Sequence, residues 1–266
     1  VIPVYNEEKH ITEFVDYLMQ VSISVACEFI FVDDGSSDET ANILSALEKK
    51  YGFKLILQGK NQGKGAAIRA GIRHAKGDFI VIQDADFEYD PNDINRLIEP
   101  LLRNECDVVY GSRFKKNCPQ VHRTYHYFVN RFLTVLSNLF SGIYLTDMET
   151  CYKLFRSDLL QSMILKSNRF GIEVELTAYV AKTAARIYEL PISYFPRTKL
   201  QGKKINWKDG LAALFHIIDF NLLRSETDVF EHLPERYQSA AASRRVKSTV
   251  PLFRTESQIS TAELRR

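Results

Sequence analysis

Over its first hundred residues the chain alternates short apolar runs with segments whose apolar positions recur every three or four residues. Residues 1–4, 28–32, 54–57, 78–82 and 107–110 read as strands, and the run from Phe79 to Ile82 is wholly apolar, as in a strand covered on both faces. Helical patterns lie between them. One spans residues 8–20 with Ile11, Phe14, Val15, Leu18 and Met19 on one side, and a second carries Ile43, Leu44 and Leu47. A third runs from residue 61 through Ala75, and a fourth over residues 92–103. This alternation predicts an α/β fold, a Rossmann-like and mostly parallel central sheet with helices on both faces.

After Arg113 the rhythm changes. A basic, aromatic stretch over 115–127 leads into a helix over 128–140. A strand near 152–155, a helix over 173–183 and a strand over 187–191 follow. Residues 196–207 are rich in Lys and Arg, and another helix extends to about residue 223. From Ser225 the apolar periodicity fades, so residues 225–266 read as a poorly packed or disordered tail.

Composition changes this picture little. In 266 residues, 45% hydrophobic and 26% charged, a full core is within reach. A net charge of +2 gives no large field to draw in nucleic acid, which is set aside as a partner. Cys27, Cys106, Cys118 and Cys151 lack Cys-x-x-Cys spacing and read as reduced thiols of a cytosolic compartment, not a disulfide frame or a zinc site. No signal-peptide pattern is visible, and because Val1 already lies in a strand, residues upstream of it are expected. No run reaches the roughly 20 apolar residues of a spanning helix. Residues 132–146 and 210–218 are apolar enough to lie on a membrane surface. The expectation is a cytoplasmic protein with, at most, peripheral contact at the cytoplasmic face of a membrane.

Candidate chemistry collects where the strands end: Asn6 and Glu7, Asp33 and Asp34, Asp84 and Asp86, Ser112 and Arg113. Open α/β sheets bind ligands along this edge. Asp84 and Asp86, one residue apart, repel each other unless a cation such as Mg²⁺ or Mn²⁺ takes their oxygens and shares them with a phosphate; the alternative is an acidic turn. Asp33 and Asp34 could accept from a base or ribose, help hold the metal, or cap the next helix. Gly63-Lys64-Gly65 resembles a phosphate cradle at a helix N-terminus. No Ser or Thr follows Lys64, and no Gly-x-Gly-x-x-Gly follows the first strand, which disfavours a P-loop nucleotidase and a dinucleotide dehydrogenase. Arg113 suits a phosphate, or a neighbouring carboxylate. His122 and His126 sit four apart without the Glu of a metalloprotease helix and read as a solvated face. Arg197, Lys199, Lys203 and Lys204, with Gly202, could form a mobile lid, a contact for diphosphate or anionic lipid, or only a solvated loop.

Together the motifs resemble a family 2 glycosyltransferase of the GT-A fold. They are Pro3-Val4-Tyr5-Asn6-Glu7, Val32-Asp33-Asp34-Gly35-Ser36, Gly63-Lys64-Gly65-Ala66-Ala67, Asp84-Ala85-Asp86 and Gly111-Ser112-Arg113-Phe114. Asp147-Met148-Glu149-Thr150-Cys151-Tyr152-Lys153, Gly202-Lys203-Lys204-Ile205 and Trp207-Lys208-Asp209-Gly210 resemble the branch of dolichol-phosphate mannose and glucose synthases and their bacterial relatives. The resemblance implies a nucleotide-sugar-binding half over residues 1–112 and an acceptor-binding half of the same catalytic domain over 113–224. It implies that Pro3, Tyr5, Glu7 and Asp34 bind the nucleoside, that Asp84 and Asp86 bind the diphosphate, and that Asp86 does so through the metal. Glu88 stands where some relatives carry a Gln metal ligand. Arg113 would contact the acceptor phosphate with help from Arg123 or Arg131, and Lys203 and Lys204 would close over the leaving diphosphate.

The implied reaction is metal-dependent, inverting transfer of a hexose from a UDP-glucose or GDP-mannose type donor to a polyprenyl phosphate. Such an acceptor is already an anion and needs positioning, not a base. A sugar hydroxyl of a cell-surface polysaccharide would need a carboxylate to take its proton, with Asp147 first and Glu149 second. Two rivals remain: a nucleotidyltransferase, which would carry a Gly- and Arg-rich loop where Tyr5-Asn6-Glu7-Glu8 stands, and a non-catalytic nucleotide-sugar-binding subunit.

Overall fold

The structure is a computed structural model and describes residues 1–115, 124–196 and 207–238. In chain order its elements are β1 (Ile2–Val4), α1 (Ile11–Gln20), β2 (Ile30–Asp33), α2 (Thr40–Tyr51), β3 (Lys54–Leu57), α3 (Lys64–His74), β4 (Phe79–Val81), α4 (Asp93–Leu102) and β5 (Val108–Ser112). The second half adds α5 (Thr124–Ser141), β6 (Lys153–Arg156), α6 (Ser157–Gln161), α7 (Ile172–Ala181), β7 (Ile187–Pro191), α8 (Trp207–Ile218) with a wider turn at Asp219–Leu223, and the short α9 (Glu226–Val229).

β1, β2 and β3 run parallel, with β2 central. β4, β6, β5 and β7 follow in that order; β6 is antiparallel to β4 and β5, and β7 is parallel to β5. The two groups join where the Val1 amine donates to Val81 O at 2.8 Å and the Gln83 N–H donates to Val1 O at 3.0 Å, the offset pattern of a parallel pair. The continuous order is therefore β3-β2-β1-β4-β6-β5-β7. The mostly parallel sheet expected from the alternation is what forms, and among the described strands β6 alone opposes its neighbours.

Side-chain alternation along β2 explains the covering on both faces. Phe31 packs with Phe14, Val15 and Leu18 of α1 and Leu44 of α2, while Ile30 and Val32 pack on the other face against Ala67 of α3. Each large apolar side chain buried this way contributes about 1.5–3 kcal/mol. α1 begins three residues later than its apolar pattern suggested, because the backbone before it is committed elsewhere: Glu7 N–H donates to Thr40 Oγ1 at 2.8 Å and Glu8 N–H to Asp38 Oδ2 at 3.4 Å.

The tail departs from the expectation of poor packing. Val229 and Tyr237 are buried, Phe230 bridges to Met163, and Ala184 N–H donates to Tyr237 O at 2.8 Å. Three apolar anchors spaced without a helical or strand period carry no periodic signal, yet they close residues 225–238 onto the core. Residues 239–266 lie outside the described residues. Cys27, Cys106 and Cys151 are free thiols, and among the described residues no helix is long and apolar enough to cross a membrane.

Candidate active site

The loops leaving β1 and β2 are laced together. Asn6, with φ of 50°, donates its N–H to Ser36 Oγ at 2.9 Å and accepts from the Ser37 N–H at 2.9 Å. Asp33 turns inward on its own loop, accepting from Ser36 N–H at 3.0 Å and Ser36 Oγ at 2.5 Å. Of the two acids it takes the turn role and Asp34 faces the next loop. Asp34 is buried and accepts from Gln62 N–H at 2.9 Å, Gly63 N–H at 2.7 Å and Asn61 Nδ2 at 2.9 Å. Burial raises its pKa, and the Gln62 and Gly63 amides pull the other way without cancelling the rise.

These contacts correct the phosphate-cradle reading of Gly63-Lys64-Gly65. The Gly63 amide is aimed at Asp34, and the glycines admit a close backbone neighbour. A Cβ on Gly63, where φ is +101°, would lie 2.3 Å from Asn168 O, and one on Gly65 would lie 2.3 Å from Ser167 O. Lys64 turns its ammonium to Asp84 and Glu173, 2.9 Å from each. Burial works to lower its pKa, but the charges of Asp84 and Glu173 hold it well above the ordinary lysine value.

Asp84 and Asp86 follow β4 on either side of buried Ala85. Both oxygens of Asp84 face Lys64, at 2.9 and 3.1 Å. Asp86 Oδ1 accepts the Glu88 N–H at 3.2 Å across a turn in which Phe87 has φ of 50°. Glu88 accepts from the Tyr194 hydroxyl at 2.9 Å, a contact that ties this loop to the strand-like segment beyond β7 and takes up one of its oxygens. Among the described residues, no three His, Cys, Asp or Glu side chains converge as a metal cage. The donor set is instead one or two hard carboxylates, which fits a cation completed by a substrate's phosphates.

Beyond β5, Arg113 and Asp147 bind each other. Nε and one terminal nitrogen donate to the two carboxylate oxygens at 2.7 Å each, and the Arg113 N–H adds a third contact at 3.0 Å. The Asp147 side chain is 0% exposed and that of Arg113 8%. Asp147 raises the Arg113 pKa well above its ordinary value, against a burial that works to lower it. Both carboxylate oxygens of Asp147 are thus engaged by Arg113, and the pair is buried. Arg113 also lies over Tyr194 and beside Phe114, and Arg131 donates to Thr146 O at 2.9 Å. Glu149 differs. Its Oε1 is buried without a hydrogen-bond partner among the described residues, and burial, followed by the charge of Glu173, pushes its pKa up to about 7.

Tyr5, Glu7, Asp33, Asp34, Asp84, Asp86, Glu88, Arg113 and Asp147 thus lie at the strand ends and in the loops beside them, Pro3 lies within β1, Lys64 opens α3, and Arg131 reaches the Asp147 loop from α5 through Thr146 O. Arg123, Lys203 and Lys204 lie outside the described residues, as do His122 and the rest of the basic run from Arg197. Sequence reading missed Glu173, which pairs with Lys64, and Lys153, whose buried ammonium donates to Met148 O and Thr150 O at 2.9 and 2.5 Å. Each is a charge set inside an otherwise apolar run, Ile172-Glu173-Val174 and Lys153-Leu154-Phe155, and that placement was the available signal.

Comparison with known proteins agrees with the geometry. A family model described as glycosyl transferase family 2 matches residues 1–164. The uncharacterized protein MJ1222 of Methanocaldococcus jannaschii is 30% identical over 228 residues, covering 82% of this chain and 89% of its own length. Dolichyl-phosphate beta-glucosyltransferase ALG5D of Trichomonas vaginalis is 29% identical over 224 residues, covering 77% and 67%. Among solved structures, glucosyl-3-phosphoglycerate synthase of Mycobacterium tuberculosis, in complex with Mn²⁺, UDP and glucosyl-3-phosphoglycerate, superposes with a TM-score of 0.62 at 17% identity over 83% of this chain and 78% of that one. A second structure of that synthase gives 0.63 at 17% identity over 92% and 90%. With an α/β sheet of the GT-A kind and a family match across more than half its length, the chain belongs to glycosyl transferase family 2 and is a glycosyltransferase.

Proposed function

We propose that the protein moves a hexose from a nucleoside-diphosphate sugar, of the UDP-glucose or GDP-mannose type, to a polyprenyl phosphate with inversion at the anomeric carbon. The observation that carries this choice is the Arg113–Asp147 pair. It engages the first candidate base and holds a fixed guanidinium, an arrangement that supports an acceptor that arrives ionised. Asp147 takes two of the five Arg113 N–H groups, and those remaining are the donors we assign to the acceptor phosphate. Arg131, next to the same loop, assists. The dolichyl-phosphate glucosyltransferase among the relatives supports a lipid phosphate acceptor, and the UDP in the synthase complexes supports a uridine donor.

In this reading residues 1–112 hold the donor, with the nucleoside against Pro3, Tyr5, Glu7 and Asp34 and the diphosphate beyond β4. Residues 113–224 hold the acceptor. Asp86, with Asp84 behind it, would hold a Mg²⁺ or Mn²⁺ whose charge offsets that building on the departing diphosphate. Lys64 sets the position of Asp84. Lys203 and Lys204 supply further positive charge on the strength of sequence alone.

A second reading, transfer to a sugar hydroxyl, is favoured by one observation. Glu149 has an unpartnered oxygen and a pKa near that of a working base. The test is transfer of radiolabelled sugar from UDP-glucose or GDP-mannose into an organic extract containing polyprenyl phosphate. Labelled lipid, lost in Asp86→Asn by about a hundredfold or more, supports the proposal. Label appearing only in water-soluble glycan would move the assignment to the second reading.

A further inference from the structure

The β5–β7 ladder ends with Ser112 opposite Pro191 and with Ile192 N–H donating to Ser112 O at 3.0 Å, just where Arg113 begins. Two residues on, the chain has changed partners. Tyr194 forms an antiparallel bridge with Tyr89, and Phe195 N–H donates to Glu88 O at 2.8 Å. Ser193 N–H fixes the turn between them by donating to Asp93 Oδ2 at 2.5 Å. Tyr194 therefore stands between the loop that follows β4 and the guanidinium that follows β5, and it is buried there.

The two ends of this one side chain do different things. Its hydroxyl donates to Glu88 Oε2 at 2.9 Å, a hydrogen bond strengthened by the charge of the carboxylate. Glu88 is thus held at its side chain by Tyr194 and at its carbonyl by Phe195, and its own N–H donates to Asp86 Oδ1 at 3.2 Å. Whatever fixes Glu88 also fixes Asp86. The turn between them needs such support, because Phe87 has φ of 50°, a conformation that a residue other than glycine keeps only where its surroundings impose it. The ring of Tyr194 carries Arg113, whose guanidinium carbon lies over it at 5.1 Å from the centroid, within cation–π range. Tyr89 packs against the same ring at 5.4 Å, so the ring is backed by the core.

We infer that Tyr194 is a positioning residue that couples the two substrate contacts, setting Asp86 through Glu88 with its hydroxyl and setting Arg113 with its ring. A buried tyrosine needs a partner for its hydroxyl, and any backbone carbonyl would serve. Here the partner is a carboxylate in the loop assigned to the diphosphate, and the neighbour of the ring is the guanidinium assigned to the acceptor. The inference rests on those assignments and adds the residue that holds the two contacts in register. Asp147 gives Arg113 its direction, and Tyr194 gives it a second contact that Asp147 does not depend on.

The test uses the full chain with Tyr194→Phe, which removes only the hydroxyl, and with Tyr194→Leu, which also removes the ring. Calorimetric titration with UDP and with GDP, each in Mn²⁺ and each in EDTA, reads the donor side without turnover. The KM for detergent-dispersed polyprenyl phosphate reads the acceptor side. For the nucleotide that binds, Tyr194→Phe should weaken the Mn²⁺ complex by about tenfold, the scale of one hydrogen bond to a charged group, and leave acceptor KM within about twofold. The difference should vanish in EDTA. Tyr194→Leu should add a rise of about fivefold or more in acceptor KM, because the contact between ring and guanidinium goes too. In a Glu88→Ala background, Tyr194→Phe should have no further effect on the Mn²⁺ complex, since its hydroxyl then has nothing to hold. Tyr194→Phe fills the same space and keeps the test open where Tyr194→Leu does not fold. Unchanged Mn²⁺–nucleotide binding by Tyr194→Phe would overturn the inference, and so would a loss that persists in EDTA or adds in full to that of Glu88→Ala. So would a folded Tyr194→Leu with unchanged acceptor KM. Those results leave the functional reading standing, whereas an unsubstituted protein that binds neither nucleotide would overturn both together.

Discussion

The Lys64 ammonium lies 2.9 Å from Asp84, at the place where sequence alone would put a divalent cation. The protein thus supplies its own positive charge to Asp84. One ammonium shared between Asp84 and Glu173 makes a compact charge balance, and removing it should be costly. Lys64→Met leaves two largely buried carboxylates unpaired and is expected to lose about 3–5 kcal/mol of stability. Mn²⁺ without nucleotide should then raise the variant's melting temperature more than it raises that of the unsubstituted protein, because a metal replaces the missing ammonium. Equal Mn²⁺ responses in thermal unfolding would mean that Lys64 and the metal do not compete for Asp84.

Asp147→Asn tests the acceptor side. The substitution removes the charge that orients Arg113 but keeps the shape, so a buried guanidinium loses its counter-ion and stability should fall by about 3–5 kcal/mol. Acceptor KM should rise and kcat fall together, because Arg113 loses its fixed direction. Arg113→Lys should not preserve function, since an ammonium cannot reproduce two parallel contacts to one carboxylate. A variant Asp147→Asn with unchanged stability and a purely pH-dependent loss of rate would return Asp147 to the role of base.

The strand ends were legible because they combine two strong local signals, an apolar run of fixed length and an abrupt polar stop. This is why Asp34, Asp84, Asp86 and Arg113 could be placed just beyond β2, β4 and β5 from sequence. What could not be read was who would pair with whom. The Lys64–Glu173 contact spans 109 positions and the Arg113–Asp147 contact 34, and neither spacing has a period that a local pattern can carry. Gly63 and Gly65 illustrate the same limit. Their composition suggested a cradle for phosphate, whereas their neighbours are the backbone carbonyls of Asn168 and Ser167, a tertiary approach invisible in sequence.

Tyr237 marks the other place where local pattern misled. Its ring is buried and its hydroxyl donates to Asp158 Oδ1 at 3.2 Å, so the segment after Ser225 acts as a strap across the core. Tyr237→Ala should destabilise the protein by about 3–5 kcal/mol, the usual range for emptying an aromatic site. Chemical denaturation reads this directly, and a loss below about 0.5 kcal/mol, typical of a surface position, would show that the strap is not docked in solution.

Glu149 gives the protein a pH-dependent stability of definite sign. Its carboxyl has an ordinary value of 4.5 and is pushed up to about 7 in the folded chain, first by burial and then by Glu173. Between those two values the folded state holds a proton that the unfolded state has released. Its stabilising contribution is therefore complete below about pH 4.5 and is lost as the pH rises through about 7. Glu149→Gln carries no titrating proton, so it should flatten this part of the stability curve and be more stable than the unsubstituted protein at about pH 8, by about 1–3 kcal/mol. Activity separates the two acceptor readings in the same variant. If the acceptor is a phosphate, kcat changes little and its pH profile keeps its shape. If the acceptor is a hydroxyl, the rate falls by about a hundredfold or more and the rise near pH 7 disappears. Denaturation across about pH 5 to pH 8, paired with initial rates over the same range, makes both measurements on one set of samples.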